Sequence, residues 1–307
     1  MQLSHSVWTS VLGFEPPYHS LPTFLAPCYV YLSIFVICFT LYQLAKLLTP
    51  LLLREYVLDY IKCLTFVAYP WGHGLARRFY GHPGYLFSMV PVNSTTALLM
   101  NHGYGNPLDV WGGYLRGVMP IWKLVVKCII LIFAGISAYN LGLLIMSMEL
   151  HPVYTEIIHK ECETDLKIPA YYGFLLEMFG SLLDSWVGLQ VLTRSNTVNV
   201  VISYVFGGIL VIMGVGMTGM YLHPAMATGH SFGCGDTPFL NHILVYWLAP
   251  FMGMYWATII NRKFHLQRPT GKENLNGRTK SVDTDKEKNV TKLHNTLSAV
   301  RKRSKKV

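Results

Sequence analysis

Twenty-two consecutive residues, Phe24 to Ala45, carry no charged side chain. A bilayer core is about 30 Å thick and needs about 20 apolar residues for one helical crossing. A stretch of that length commits the chain to a membrane. Lys46 and Arg54 close it. Composition agrees: of 307 residues, 52% are hydrophobic and 13% charged, where soluble domains carry about 25% charged residues.

Six further apolar segments follow. They run from Arg54 to Ala76, Tyr85 to Met100, Ile121 to Met148, Ala170 to Leu192, Asn199 to Leu222 and Leu240 to Ile260. Asp59, Lys62 and Pro70 interrupt the first of them, and Glu177 and Asp184 sit in the fourth. A polar stretch up to Pro169 holds Glu149, Glu156, Glu161, Glu163 and Asp165. The expectation is an all-α transmembrane chain of seven crossings. It divides into a non-cytosolic segment 1–23, an N-terminal hydrophobic helix 24–49, two half-repeats at 54–150 and 170–260, and a polar tail 261–307.

The basic character lies in that tail. Residues 262–307 hold 14 Lys or Arg against 4 Asp or Glu, a net of +10, while the first 261 hold 11 against 12, a net of −1. Cytoplasmic flanks of membrane helices concentrate Lys and Arg. Placing the tail in the cytosol puts Arg194, Arg116 with Lys123, and Lys46 with Arg54 on the same side. The acidic 149–169 stretch then falls outside, together with the N-terminus, and Arg77 and Arg78 are the exception. No nucleic-acid motif accompanies the basic residues, so the expected neighbour is an anionic leaflet rather than a nucleic acid. Residues 1–23 contain no Lys or Arg, unlike a cleaved signal peptide. The sequon Asn289-Val290-Thr291 falls in the expected cytosolic tail, which argues against its glycosylation.

Two dipeptides recur at matching places. Asn106-Pro107 and His223-Pro224 each follow an apolar segment, precede a stretch too short to span, and have a tyrosine two residues earlier, Tyr104 and Tyr221. The first helix of each half carries an acid, Asp59 and Glu177. The gap from acid to dipeptide is 47 residues in one half and 46 in the other. This spacing suggests duplication of a unit of three crossings. An odd number inverts the second copy in the membrane, so the two short segments enter from opposite faces and meet near the midplane. Asp59 and Glu177 are expected to accept hydrogen bonds from the re-entrant loops, because a membrane-buried carboxyl needs partners.

The chemistry follows from helix ends. Asn is a strong N-cap, proline suits the first helical turn, and the tip of such a helix presents free N–H groups at its positive end. Two tips facing each other make an electropositive waist where a donor can align water and cations are disfavoured. A neutral His223 can still donate one N–H, and protonation at low pH is expected to lower conductance. A His223 that only caps its helix is the other reading. Asp109, in the first turn of the first short helix, would weaken cation exclusion there.

The stretch Tyr221-Leu222-His223-Pro224-Ala225, together with Val245-Tyr246-Trp247-Leu248-Ala249-Pro250-Phe251-Met252-Gly253, resembles the second pore loop and last helix of the aquaporin superfamily. The similarity is greatest to the unorthodox branch of aquaporins 11 and 12, the superaquaporins. That branch places a cysteine nine residues beyond its second Asn-Pro-Ala box, as Cys234 stands to Ala225. The resemblance covers residues 54–260 and is better in the second half. It implies an inverted-repeat bundle of six core membrane helices and two re-entrant half-helices, with one extra N-terminal helix. It also implies a homotetramer passing water, and in some members glycerol or hydrogen peroxide, often in the endoplasmic reticulum membrane. The C-terminal Arg303-Ser304-Lys305-Lys306-Val307 resembles a basic retrieval signal for that organelle.

The boxes depart from the family. They read Asn106-Pro107-Leu108 and His223-Pro224-Ala225, and Met226 stands where most aquaporins have arginine. Offsets from the boxes place Leu86, Val211 and Met220 with Met226 at an apolar constriction. Cys234 is read either as a buried thiol or as bonded to Cys162. Gly214, Gly216 and Gly219 are read as close-packing positions. With no nucleophile–base pair, phosphate loop or metal cluster in the sequence, no enzyme activity, cofactor or metal is expected. The function expected is a passive channel for water and small neutral solutes. The alternative is a non-conducting protein of the same fold with a homeostatic or scaffolding role. A membrane enzyme built on His73, His82 and His102 is a third class.

Overall fold

The computed structural model describes residues 21–264. The expectations for residues 1–20 and for the tail beyond 264 lie outside them. Ten helices order the described chain: α1 Leu25–Leu48, α2 Leu51–Ala68, α3 Pro70–Leu99, α4 Pro107–Leu115, α5 Ile121–Met146, α6 Pro152–His159, α7 Ala170–Gly188, α8 Asn196–Gly214, α9 Pro224–Ser231 and α10 Phe239–Lys263. A π turn at Leu244–Leu248 interrupts α10.

Local chemistry sets these ends. Pro50 cannot continue α1 and holds Thr49 extended, at ψ 133°. Pro70 starts α3 at a position where its missing N–H costs nothing. Within α3 the chain breaks at Gly81, at φ 67° and ψ −160°, a conformation only glycine adopts readily. The first core helix is therefore longer than the Arg54–Ala76 segment suggested, since helix resumes at Pro70 and runs to the Gly81 kink. The Asn199–Leu222 segment is less helical than expected. Helix ends at Gly214, and the chain to His223 is a loop, with Met220 at φ 46° and Leu222 at φ 49°. Such left-handed conformations cost a non-glycine residue about 1–3 kcal/mol each. The polar stretch after α5 contains a helix of its own, α6, which the sequence reading missed.

α1, α5, α8 and α10 are long and apolar enough to cross a membrane. Of the other three expected crossings, Arg54–Ala76 and Ala170–Leu192 carry charge and Tyr85–Met100 carries a polar run from Asn93 to Thr96, and Asp59 and Glu177 are turned fully inward. Outward faces are largely apolar: Leu32, Val36 and Leu47 on α1 and Ile129, Phe133 and Leu144 on α5 are all exposed. Water would penalise such a surface, and lipid does not. Arg78, the exception to the charge rule, donates twice to Glu156 of α6, at 2.7 and 3.0 Å. Both side chains are exposed, so water screens the pair and it adds little to stability.

The short helices are exchanged between halves. α4, from the first half, packs on α10 of the second, and α9, from the second, packs on α5 of the first. Trp111 of α4 donates its indole N–H to the Phe251 carbonyl, at 3.1 Å. His230 of α9 holds the Val67 carbonyl of α2, at 2.7 Å. The most extensive helix pair is α7 with α10. It closes on Gly253, where a Cβ would lie 2.8 Å from Leu182 N and 2.9 Å from Ser181 Cβ. Gly253→Ala is expected to cost about 1–3 kcal/mol through overpacking, read as a lower thermal midpoint in detergent. An unchanged midpoint would show that the crossing can relax.

Candidate pore site

Asn106 and His223 occupy equivalent positions. Both have extended backbones, both precede a proline at the first helical turn, and both cap their helix. Asn106 Oδ1 accepts from Leu108 N at 3.0 Å. His223 Nδ1 accepts from Met226 N at 3.2 Å. Each side chain also reaches the opposite loop. Asn106 Nδ2 donates to the Leu222 carbonyl at 3.2 Å, and His223 Nε2 lies 2.8 Å from the Gly105 carbonyl. A carbonyl can only accept, so Nε2 carries the proton and Nδ1 is the bare acceptor. The imidazole is neutral in this arrangement, because protonating Nδ1 would set it against the Met226 N–H.

This geometry refines the expectation that both side chains present donors to a solute. His223 has one N–H in this tautomer, and Gly105 takes it; the residue is only 8% exposed. Asn106 has two amide hydrogens, and Leu222 takes one. Of the pair, Asn106 alone keeps a donor for something passing.

The two acids hold the loops. Asp59 Oδ1 accepts from Tyr104 N at 2.7 Å. Glu177 Oε1 accepts from Tyr221 N at 3.1 Å and from the Thr218 hydroxyl at 2.7 Å, and its Oε2 accepts from Leu222 N at 3.1 Å. These contacts hold the strained Leu222 conformation in place. The remaining support differs between halves. Asp59 is paired through Oδ2 with the ammonium of Lys127, itself almost wholly buried on α5. Glu177 has neutral donors. Lys127 escaped the sequence reading, although a lysine in the second turn of a 26-residue apolar helix, one turn inside Lys123, is a signal that a carboxylate faces it. Lys62 adds a bond from its ammonium to the Gly103 carbonyl, at 3.0 Å. Gly103 sits at φ 84°, where a Cβ would lie 3.0 Å from Asp59 N.

The four residues expected at the constriction are dispersed among different packing environments. Met220 is buried in the seam between α7 and α8, against Gly180 and Gly214 and beside Leu210 and Leu222. It packs helices together. Met226 lies partly buried on the core of the first half. Leu86 reaches α8 at Gly208, and Val211 is half-buried one turn further along α8. Pro107, Leu108, Pro224 and Ala225 are all buried in the first turns of their short helices. Asp109 is exposed on α4, with Lys62 and Arg116 as its charged neighbours.

Cys234 is bonded to Cys162, with the two Cα atoms 5.0 Å apart. The strap around Cys162 has further ties. Tyr221 OH bonds Asp165, Thr237 bonds Thr164 at 2.6 Å, and Lys167 N donates to the Met217 carbonyl at 2.8 Å. Of the three histidines considered for an enzyme, His73 bonds Tyr31 OH at 2.7 Å, His82 is exposed, and His102 belongs to the first loop. Among the described residues no group of three His, Cys, Asp or Glu side chains is placed to hold a metal.

No protein-family model matches this chain, and no curated protein matches it. Among solved structures it is similar to the aquaglyceroporin from Plasmodium falciparum, at 15% identity and a TM-score of 0.43, over 78% of this chain and 96% of that one.

Proposed function

We propose that the protein is a passive membrane channel of aquaporin type, for water and small neutral solutes such as glycerol or hydrogen peroxide. The observation that carries this reading is the reciprocal stitch: Asn106 to Leu222, and His223 to Gly105. It sets the N-terminal ends of two short helices against each other, the arrangement that repels cations and admits a neutral dipole. Membership of the superaquaporin branch, a homotetramer, an endoplasmic reticulum membrane and a cytosolic C-terminus belong to the same proposal.

Stopped-flow swelling of proteoliposomes tests it, with water, glycerol and peroxide measured side by side. Wild type should exceed empty vesicles for water. Flux should hold through the range in which a free histidine titrates and fall only on stronger acidification, because burial and the Met226 N–H facing Nδ1 oppose protonation of His223. Protonation at Nδ1 removes the cap on Met226 N, so the protonated form is the poorer conductor. His223→Asn should flatten that dependence. Flux that is independent of pH in wild type would remove the role given to His223.

One observation favours a second reading. With the His223 donor already engaged, the waist offers a solute fewer hydrogen bonds than two free amides would. A slowly conducting or non-conducting protein with a structural role in its membrane fits that count. Swelling no faster than in empty vesicles would select it.

A further inference from the structure

α1 stands outside the repeat, yet it reaches into the first pore loop. Its inward stripe runs Ala26, Val30, Ile34, Cys38 and Tyr42, spaced by four so that it faces the bundle along its length. Tyr42 lies near the end of that stripe and is fully buried. Its hydroxyl accepts from His102 N at 2.8 Å and donates to the His102 carbonyl at 3.0 Å. His102 lies four residues before Asn106 in the segment that leads into α4. Lys62 grips the next residue at Gly103 O, and Asp59 the one after at Tyr104 N. Three consecutive residues are thus held at four backbone atoms by three side chains. Two of these come from α2, and the third comes from α1.

The second half shows what this replaces. There the loop is held at Thr218 O by Tyr246 OH, at 2.8 Å, and by Glu177, both from helices of the repeat itself. The first half draws its tyrosine from the added helix. Irregular backbone at membrane depth is stable only where protein groups satisfy it, and each such bond is expensive to lose when no water replaces it.

We propose that α1 is a working part of the pore and that Tyr42 is a positioning residue: it fixes the first loop, and through it the approach of Asn106 to Leu222. The consequence for flux rests on the channel reading above; the hold on the loop does not. Tyr42→Phe keeps the buried ring and removes the hydroxyl. Tyr31→Phe is the control, because Tyr31 lies on the same helix and bonds His73 and Ser88.

In full-length protein, amide exchange over residues 102–106 should be about tenfold faster in Tyr42→Phe, the equivalent of about 1.4 kcal/mol, and unchanged in Tyr31→Phe. Water permeability should fall in Tyr42→Phe alone. Unchanged loop exchange in Tyr42→Phe overturns the proposal, and so does an equal loss of flux in both variants. Faster exchange with undiminished flux in a conducting protein overturns the role in the pore. Should wild type prove non-conducting, the channel reading fails, and the exchange comparison still decides whether α1 holds the loop.

Discussion

Lys127→Met is expected to destabilise the protein by about 3–5 kcal/mol, the usual penalty for stranding one member of a buried ion pair. The Lys127 and Asp59 side chains are 3% and 1% exposed. Methionine fills the same space but leaves the Asp59 carboxylate with only the Tyr104 amide. The ammonium also lies 5.0 Å from the Tyr56 ring centre and 5.3 Å from that of Tyr104. Those faces would lose a cation worth about 0.5–2 kcal/mol. Glu55, 3.4 Å from the Lys127 ammonium, keeps Lys123 at 2.7 Å and compensates little. Combining Lys127→Met with Asp59→Asn removes both charges together, and the double variant should recover most of the loss. Thermal unfolding in detergent measures all three proteins. A single variant within about 1 kcal/mol of wild type would mean that the pair contributes no more than an exposed one.

The second large effect concerns the bond between Cys162 and Cys234. It closes a separation of 72 residues and ties the segment before α7 to the turn after α9. Cys162→Ser with Cys234→Ser should cost about 2–4 kcal/mol, the range for a long closed loop. Denaturation in the presence and absence of reductant gives the same quantity without mutation. The remaining ties, Asp165 to Tyr221 and Thr164 to Thr237, should keep the strap near its place. The loss is therefore expected in stability ahead of water flux. Equal stability with and without reductant would show that those ties alone hold the strap.

The sequence carried the acids and the caps because duplication printed them twice. One acid, one tyrosine and one X-Pro step per half, at nearly equal gaps, identify Asp59, Glu177, Asn106 and His223 without coordinates. Lys127 has no counterpart in the other half and Tyr42 lies outside the repeat, and their partners lie 68 and 60 residues away in the chain. No spacing rule reaches that far. The constriction offsets assumed that the second loop leaves its helix as a regular extension. Positive φ at Met220 and Leu222 breaks that assumption, and Met220 turns into a helix seam. The dipeptide signal is itself less specific than its repetition suggests. His151-Pro152 uses the same imidazole cap, with Nδ1 accepting from Val153 N at 3.1 Å, to start an ordinary helix. Position within a duplicated unit separates the two histidines, whereas cap chemistry does not.

The exchange of hydrogen bonds between the two loops bears on the order of assembly. Gly105 and Leu222 each lend a carbonyl to the other half's side chain. When synthesis has completed only the N-terminal repeat, Asn106 has no Leu222 to reach, and α4 has no α10 to lean on. The centre of the molecule is consequently the last place to close, and a chain halted midway would expose it first to quality control.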